Sequence, residues 1–355
     1  MRVPVVTPPV GWDRAHRSPS ARRTTKISLC ARGPDKRQRP VGMIPGKLML
    51  DDRRMRYAVT DNEDAHGPEG PGSPPIWAVN LHGYFAGGGM YWRESKHLAE
   101  TLGWRVVNPN LPGFAGSEPL PWERVSIEEL TNEIVRLLDH LGIDQVILIG
   151  HSMGGAVAVQ FADAHPERTL GIIYRDGAAT PEWKVRHGLL VSLISPLLPD
   201  VAGVADLMVA VMLDTPGVLI GRRLPSTLRG LWPDARRNLR TMGRSLPVGS
   251  MLMAIDLRPG VRHLVEEAVP VLPIWGCFDR IVNAACAQEF SDLVHRPVVW
   301  VPGGHSWMLP RPQAQADILR YLGEGRTFLA EVLARRGTLL GLDAPGRGTF
   351  LSATH

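Results

Sequence analysis

Short unbroken apolar runs alternate along this chain with segments whose apolar residues recur every three or four positions. Ile76 to Leu81, Trp104 to Leu111, Val146 to Ile149, Leu170 to Tyr174, Val271 to Trp275 and Val298 to Val301 are of the first kind. Runs this short, bounded by glycine, proline and polar residues, predict strands buried on both faces. Between them, Arg93 to Leu102, Ile127 to Leu141, Ala156 to His165, Ala284 to Val294 and Pro312 to Leu322 predict helices. The second is the plainest, with Ile127, Leu130, Ile134, Leu137, Leu138 and Leu141 on one face. Strand then helix, repeated, predicts an α/β fold: a mostly parallel, doubly wound sheet covered on both faces, with its chemistry in the turns that follow the strands.

The alternation stops from about Thr180 to Glu267, where several apolar helical stretches occur without a convincing strand. An inserted helical lid over the active-site end of the sheet has this pattern. The expected organisation is a disordered basic arm over residues 1–45, an α/β core over 46–179 and 268–323, a lid over 180–267, and a C-terminal extension over 324–355 with a helical stretch near Phe328 to Ala334. Lys47 to Thr60 reads as two short strands ahead of the core, and Asp61 to Pro75 as a loop. The most apolar stretch, Leu189 to Ile220, is broken by Pro196, Pro199, Asp200, Asp206, Asp214 and Pro216, whereas a membrane span needs about 20 predominantly apolar residues. No stable membrane insertion is expected.

Charge changes the picture only at one end. The chain carries a formal +5, but residues 1 to 40 hold ten Lys or Arg against two Asp or Glu, which leaves the remainder at −3. The basic balance therefore belongs to an arm without apolar periodicity, read as a solvated extension or as sequence upstream of a start at Met43 or Met49. The body gives no reason to expect nucleic acid as a partner. Three cysteines (Cys30, Cys277, Cys286) make no disulfide framework and no CxxC pair. With no apolar leader behind the basic residues, a reducing cytoplasm is the expected setting. Oligomeric state has no signature in the sequence.

The chemistry begins at Gly150-His151-Ser152-Met153-Gly154-Gly155, between the strand ending at Ile149 and the next helix. A GxSxG in that position is a strand-to-helix elbow that lifts a serine hydroxyl above the sheet and aims the first amides of the helix at it. Ser152 is the candidate nucleophile and the Met153 N–H a candidate oxyanion donor. His151 points away on so sharp a turn and reads as structural.

A serine hydroxyl needs a base, and the base needs a carboxylate to hold its tautomer. Asp279, just past the strand in Pro273-Ile274-Trp275-Gly276-Cys277-Phe278-Asp279, and His305, just past the next in Val301-Pro302-Gly303-Gly304-His305, supply them in the expected order. Asp176, one strand earlier, is the alternative acid, with a turn-capping role as its plainer reading. The second oxyanion donor is expected in Leu81-His82-Gly83-Tyr84-Phe85-Ala86-Gly87-Gly88, as the Tyr84 N–H, with His82 as a structural hydrogen-bonding residue.

The segments HGYFAGG, NPNLPGFAGSE, GHSMGG, PIWGCFDRIV and PGGHSWM, in this order from Ile76 to Leu322, resemble the α/β-hydrolase superfamily, and within it the lid-containing, serine esterase or lipase-like branch. The resemblance implies a Ser-His-Asp triad, no metal and no organic cofactor. Asn110 departs from it, standing where many relatives carry an acid, and reads as a structural contact.

A serine nucleophile disfavours the branches in which an elbow aspartate attacks carbon. The expected reaction is hydrolysis of a carboxylic ester, or thioester, of a hydrophobic small molecule through an acyl-enzyme. The lid supplies Leu189, Leu190, Leu193, Ile194, Leu197, Leu198, Val204, Leu207, Met208, Met212 and Met253 to line a pocket or to pack on the body. Three alternatives remain: a carbon–carbon bond hydrolase of ring-cleavage products, with Arg175, Arg186 or Arg262 for the substrate carboxylate; a perhydrolase or cofactor-free haloperoxidase; and a ligand-binding module with an idle triad.

Overall fold

The computed structural model describes residues 41–182 and 224–341. Eight strands form one sheet in the order β1-β2-β4-β3-β5-β6-β7-β8. They are β1 (Met43–Leu50), β2 (Arg53–Thr60), β3 (Trp77–Leu81), β4 (Arg105–Asn110), β5 (Val146–His151), β6 (Thr169–Arg175), β7 (Val271–Gly276) and β8 (Val299–Val301). From β4 to β8 every pairing is parallel, while β1 and β2 form a hairpin that joins antiparallel to β4. The first strand starts at Met43, inside the stretch read as arm; the arm itself up to residue 40 lies outside the described residues.

The helices are α1 (Trp92–Leu102), α2 (Ile127–His140), α3 (Met153–Ala164), α4 (Leu224–Arg240), α5 (Leu246–Ala254), α6 (Arg258–Glu266), α7 (Ala284–Val294), α8 (Ala314–Tyr321) and α9 (Gly323–Leu339). They cover both faces of the sheet. Leu130, Ile134, Leu137, Val157, Phe161, Val261, Leu264 and Phe290, from α2, α3, α6 and α7, share one core with Val146 and Leu148 of β5. Leu98, Ile318, Leu319, Phe328 and Val332, from α1, α8 and α9, share the other with Ile147 and Ile149. The alternation along β5 divides its side chains between the two cores, so this strand must be apolar throughout. The sequence Ser126-Ile127-Glu128-Glu129 starts α2, where the Ser126 side chain accepts the Glu129 N–H at 3.1 Å.

Three elements differ from the sequence expectation. The elbow helix begins at Met153, three residues before the predicted start, because Gly154 and Gly155 are poor helix formers placed in its first turn for another reason. A Cβ on Gly154 would collide with the Leu81 carbonyl of β3. At the other end, α9 is a full helix of the body: Phe328 and Val332 bury against Gly171 of β6, where a Cβ would sit 2.9 Å from Val332. Within the stretch read as lid, α6 packs through Val261 and Leu264 into the main core. Val248 and Leu252 of α5 belong to the same core, so among the described residues of that stretch only α4 contributes no apolar side chain to it. Of the apolar residues expected in the lid, Met253 is described, half-buried against the core; the others lie outside the described residues, as does Arg186.

Candidate functional site

The carboxyl ends of β3, β5, β6, β7 and β8 converge on Ser152. The residue has φ 54° and ψ −119°, a conformation that costs a non-glycine residue about 1 to 3 kcal/mol and persists only where the surroundings enforce it. They do so by close approach. A Cβ on Gly150 would lie 2.5 Å from the Gly154 carbonyl oxygen, so only glycine lets the strand turn directly into the helix. The Ser152 N–H donates to the Arg175 carbonyl at 3.1 Å, and the Ser152 carbonyl accepts from Gly155 and Ala178. The side chain therefore stands at the N-terminus of α3, where the helix presents its first amides and its positive end.

The loop after β3 comes against the elbow. A Cβ on Gly83 would lie 3.2 Å from the Ser152 Cβ. The neighbouring histidines on these two turns are structural, as the sequence suggests, and their tautomers follow from their partners. The Leu111 N–H can only donate, at 2.9 Å to His82 Nε2, so Nδ1 carries the proton and donates to the Gly83 carbonyl at 2.8 Å. Burial pushes the His82 imidazole down to about 4. For His151, Nε2 lies 2.9 Å from the His305 carbonyl, which can only accept, so Nδ1 accepts the Tyr91 hydroxyl proton at 2.7 Å. The Tyr91 oxygen in turn faces the Gly83 N–H at 3.4 Å. Burial above all, with the nearby His305 and Arg175 adding to it, holds the His151 imidazole well below its usual range.

Asp279 and His305 meet across the loops that follow β7 and β8. His305 Nδ1 lies 2.8 Å from Asp279 Oδ2, and both side chains are buried. Asp279 Oδ1 accepts from Ile281 N–H at 2.7 Å and Val282 N–H at 3.0 Å, which fixes the carboxylate in the plane that the imidazole needs. The two loops lace together: Cys277 N–H donates to the Val301 carbonyl and Phe278 N–H to Gly303. Gly276 permits this, because a Cβ there would sit 2.5 Å from the Gly304 carbonyl oxygen.

Asp176, the alternative acid, is fully buried next to this pair. Its Oδ1 accepts the Gly276 N–H at 2.8 Å and its Oδ2 the Trp307 indole N–H at 2.7 Å. Burial, and after it the neighbouring Asp279, push the pKa of Asp176 well above the ordinary carboxylate range. Ligand atoms of Asp176, Asp279 and His305 all lie within 4.8 Å of one another. Their oxygens and the His305 Nδ1 are already matched by N–H groups or by each other, and N–H donors aimed at the carboxylates oppose a cation. The donor set reads as a hydrogen-bonded acid pair serving a histidine.

Several residues outside the sequence expectation hold this arrangement. Asn238 on α4 donates from Nδ2 to the Phe85 and Ala86 carbonyls, each at 2.8 Å, and accepts the Ala115 N–H at 2.6 Å. It ties the loop carrying Tyr84 to α4 and to the turn after β4, while the Tyr84 hydroxyl donates to the Ser245 carbonyl at 3.1 Å. Asn110 makes the structural contact expected of it, accepting from Gly88 N–H at 2.7 Å and donating to the Ala115 carbonyl at 3.1 Å. Trp307 stands in the motif that supplied His305 and was the most findable of these residues. Tyr91 and Asn238 carry no sequence signal beyond a polar group on an otherwise buried face.

The arginines considered for a substrate carboxylate are elsewhere. Arg175 is buried under the sheet end, donating to Glu94 at 2.5 Å, Gln315 at 2.9 Å and Asn80 at 2.8 Å. Arg262 is exposed on α6.

Residues 78–209 match the family profile of the alpha/beta hydrolase fold. A magnesium-chelatase 30 kDa subunit of Rhodobacter capsulatus is 33% identical over 250 residues, spanning 66% of this chain and 82% of that protein. A carbendazim hydrolyzing esterase of Nocardioides sp. (strain SG-4G) is 27% identical over 251 residues, 69% of this chain and 98% of that one. Among solved structures, the enol-lactonase from Burkholderia xenovorans LB400 superposes with a TM-score of 0.58 at 21% identity, covering 80% of this chain and 100% of its own.

Proposed function

Because the chain belongs to the α/β-hydrolase superfamily, we propose that it hydrolyses a carboxylic ester of a hydrophobic small molecule, with Ser152 as nucleophile, His305 as general base and Asp279 as its orienting carboxylate. The observation that carries this reading is the buried 2.8 Å bond from His305 Nδ1 to Asp279, made where the strained turn presents Ser152 at the start of α3.

Ser152 Oγ attacks the ester carbonyl while His305 Nε2 takes its proton. The oxyanion that forms is held by the Tyr84 and Met153 amides and by the N-terminus of α3. His305 then returns the proton to the departing alcohol, which leaves Ser152 acylated. A water molecule, deprotonated by the same histidine, attacks the acyl group, and collapse of the second oxyanion expels Ser152 Oγ, which regains its proton from His305. Asp279 stays ionised throughout and keeps Nδ1 protonated. α4 and α5, within the stretch 180–267, serve as part of a lid that shapes an apolar site.

Of the arginines considered for the carboxylate of a dienone acid, Arg175 is committed to Glu94 and Arg262 is exposed on α6, which favours the ester over the carbon–carbon bond; Arg186 lies outside the described residues. The test is hydrolysis of p-nitrophenyl esters of increasing chain length, with wild type beside Ser152→Ala and His305→Ala, together with the mass gain after a fluorophosphonate. Turnover and labelling that vanish in Ser152→Ala support the reading. Unchanged turnover in Ser152→Ala, or a wild type inert toward every ester, overturns it.

A further inference from the structure

The helix α4 has two unlike faces. Asp234 and Asn238, one turn apart, are buried against the loop that carries Tyr84, Phe85 and Ala86. On the opposite side Arg229, Arg236 and Arg240 are exposed at spacings of seven and four, which is one line down a helix of 3.6 residues per turn. Beside that line run Trp232 and Leu239, seven apart and 61% and 52% exposed, with Trp92, also exposed, packed near Gly230 at the rim.

Charge on this surface is one-sided. From Leu224 to Arg244 the sequence has five arginines and one acid. That acid, Asp234, is buried, paired with Arg237 at 3.0 Å. At the edge of the sheet beside it, Lys47, Arg56 and Arg237 line a cleft of about 520 Å³ with a single acid, Asp234, which is paired with Arg237. The body of the protein beyond residue 40 is net negative, so this concentration is not a reflection of overall composition.

We propose that the outer face of α4 docks onto an anionic lipid surface, its arginine line on the headgroups and Trp232 and Leu239 at the boundary with the acyl chains. Arginines alone would meet any polyanion. What selects lipid is the exposed tryptophan and leucine alongside them, since an indole seats at a membrane interface with its ring in the apolar layer and its N–H toward water. The helix neither spans nor needs to: among the described residues no helix is long and apolar enough to cross a membrane. Docking by this face would bring the turn around Tyr84, held by the inner face of the same helix, close to the lipid. That a hydrophobic ester reaches Ser152 from there rests on the ester reading above; the docking itself does not.

The experiment is sedimentation of the full chain with vesicles of phosphatidylcholine, alone or mixed with phosphatidylglycerol, at low and high ionic strength. The wild type and Ser152→Ala should bind the mixed vesicles alike and pure phosphatidylcholine poorly, with binding weakened by salt. Arg229→Gln/Arg236→Gln/Arg240→Gln should lower the partition coefficient roughly a hundredfold, given the usual strength of each arginine near such a surface. Trp232→Ala should weaken binding at unchanged charge. Both helix variants should keep the wild-type circular dichroism spectrum and thermal unfolding midpoint, which shows that they fold. Replacing Arg14, Arg17, Arg22 and Arg23 by glutamine should leave binding in place.

A wild type that does not bind mixed vesicles at low salt overturns the proposal, as does equal binding to pure phosphatidylcholine. So does a triple variant that binds like wild type, or binding abolished by the arm substitutions alone. Absence of ester turnover would remove the ester reading without touching these outcomes.

Discussion

His151 Nε2 donates to the carbonyl oxygen of His305 at 2.9 Å, and this bond sets the height of the loop that presents the His305 ring to the elbow. The imidazole is held in that tautomer by the Tyr91 hydroxyl, which also faces the Gly83 N–H. One buried chain of donors and acceptors thus joins the turns after β3, β5 and β8. Tyr91→Phe leaves His151 Nδ1 and the Gly83 amide without their partner. The expected cost is about 2 kcal/mol in a urea titration, with ester turnover reduced more than KM is changed.

The two buried acids should separate cleanly. Asp279→Asn deprives His305 Nδ1 of its acceptor and should lower kcat by roughly a thousandfold to ten-thousandfold. Asp176→Asn keeps the Gly276 contact, loses the Trp307 contact, and should stay within about tenfold of wild type, because Asp176 accepts from Gly276 and Trp307 while Asp279 holds the His305 bond. The reverse order of effects in steady-state kinetics would make Asp176 the operative acid.

Asn238 satisfies the half-buried Phe85 and Ala86 carbonyls and the buried Ala115 N–H. Asn238→Ala should cost about 3 kcal/mol. It should also lower kcat by roughly tenfold to a hundredfold through the displaced Tyr84 amide, with KM for a small ester little changed. A fall in stability with unchanged kcat would show that the loop holds its shape without α4.

Arg175 and Glu94 are both buried and bonded at 2.5 Å. Arg175→Met strands a carboxylate in the interior and should cost about 3 to 5 kcal/mol, whereas Arg175→Met with Glu94→Leu should recover most of it. Thermal unfolding of the single and double variants measures the difference.

His82 gives the stability an acid limb. Burial lowers it from 6.5 to about 4, so between those values the unfolded chain binds a proton that the folded chain refuses. Stability is therefore lost as pH falls through 6.5 and stops falling, for this group, near pH 4, a change of about 3 kcal/mol. His82→Gln should flatten that limb by about 1.4 kcal/mol per pH unit in denaturant midpoints taken across the range.

Much of the fold was legible in the sequence because its strands are buried on both faces. Val146 to Ile149 must be apolar at every position, and a run like that between two helical periods has few other readings. GxSxG was legible for a related reason: glycines at 150 and 154 are demanded by backbone contacts a few residues away in sequence or on the adjacent strand. The helix start at Met153 was not, since propensity argues against Gly154 and Gly155 and the packing against β3 overrides it. α9 was legible only as a helical stretch near Phe328 to Ala334; its packing on the sheet was not, because Phe328 and Val332 acquire meaning only against Gly171. Arg175 read as a free cation near the site because the sequence does not show that Glu94, Asn80 and Gln315, more than 80 positions away, surround it.

By itself the sequence determined the alternation of strands and helices, the order of Ser152, Asp279 and His305, and the turns on which each sits. These follow from local periodicity and from residue types that a sharp turn requires. Which of two aspartates bonds the histidine, which tautomers His82 and His151 adopt, and which face of α4 is held and which is exposed were decided by tertiary structure. Each depends on a donor or acceptor that arrives from a distant part of the chain, and a buried polar group takes its role from the partner that satisfies it.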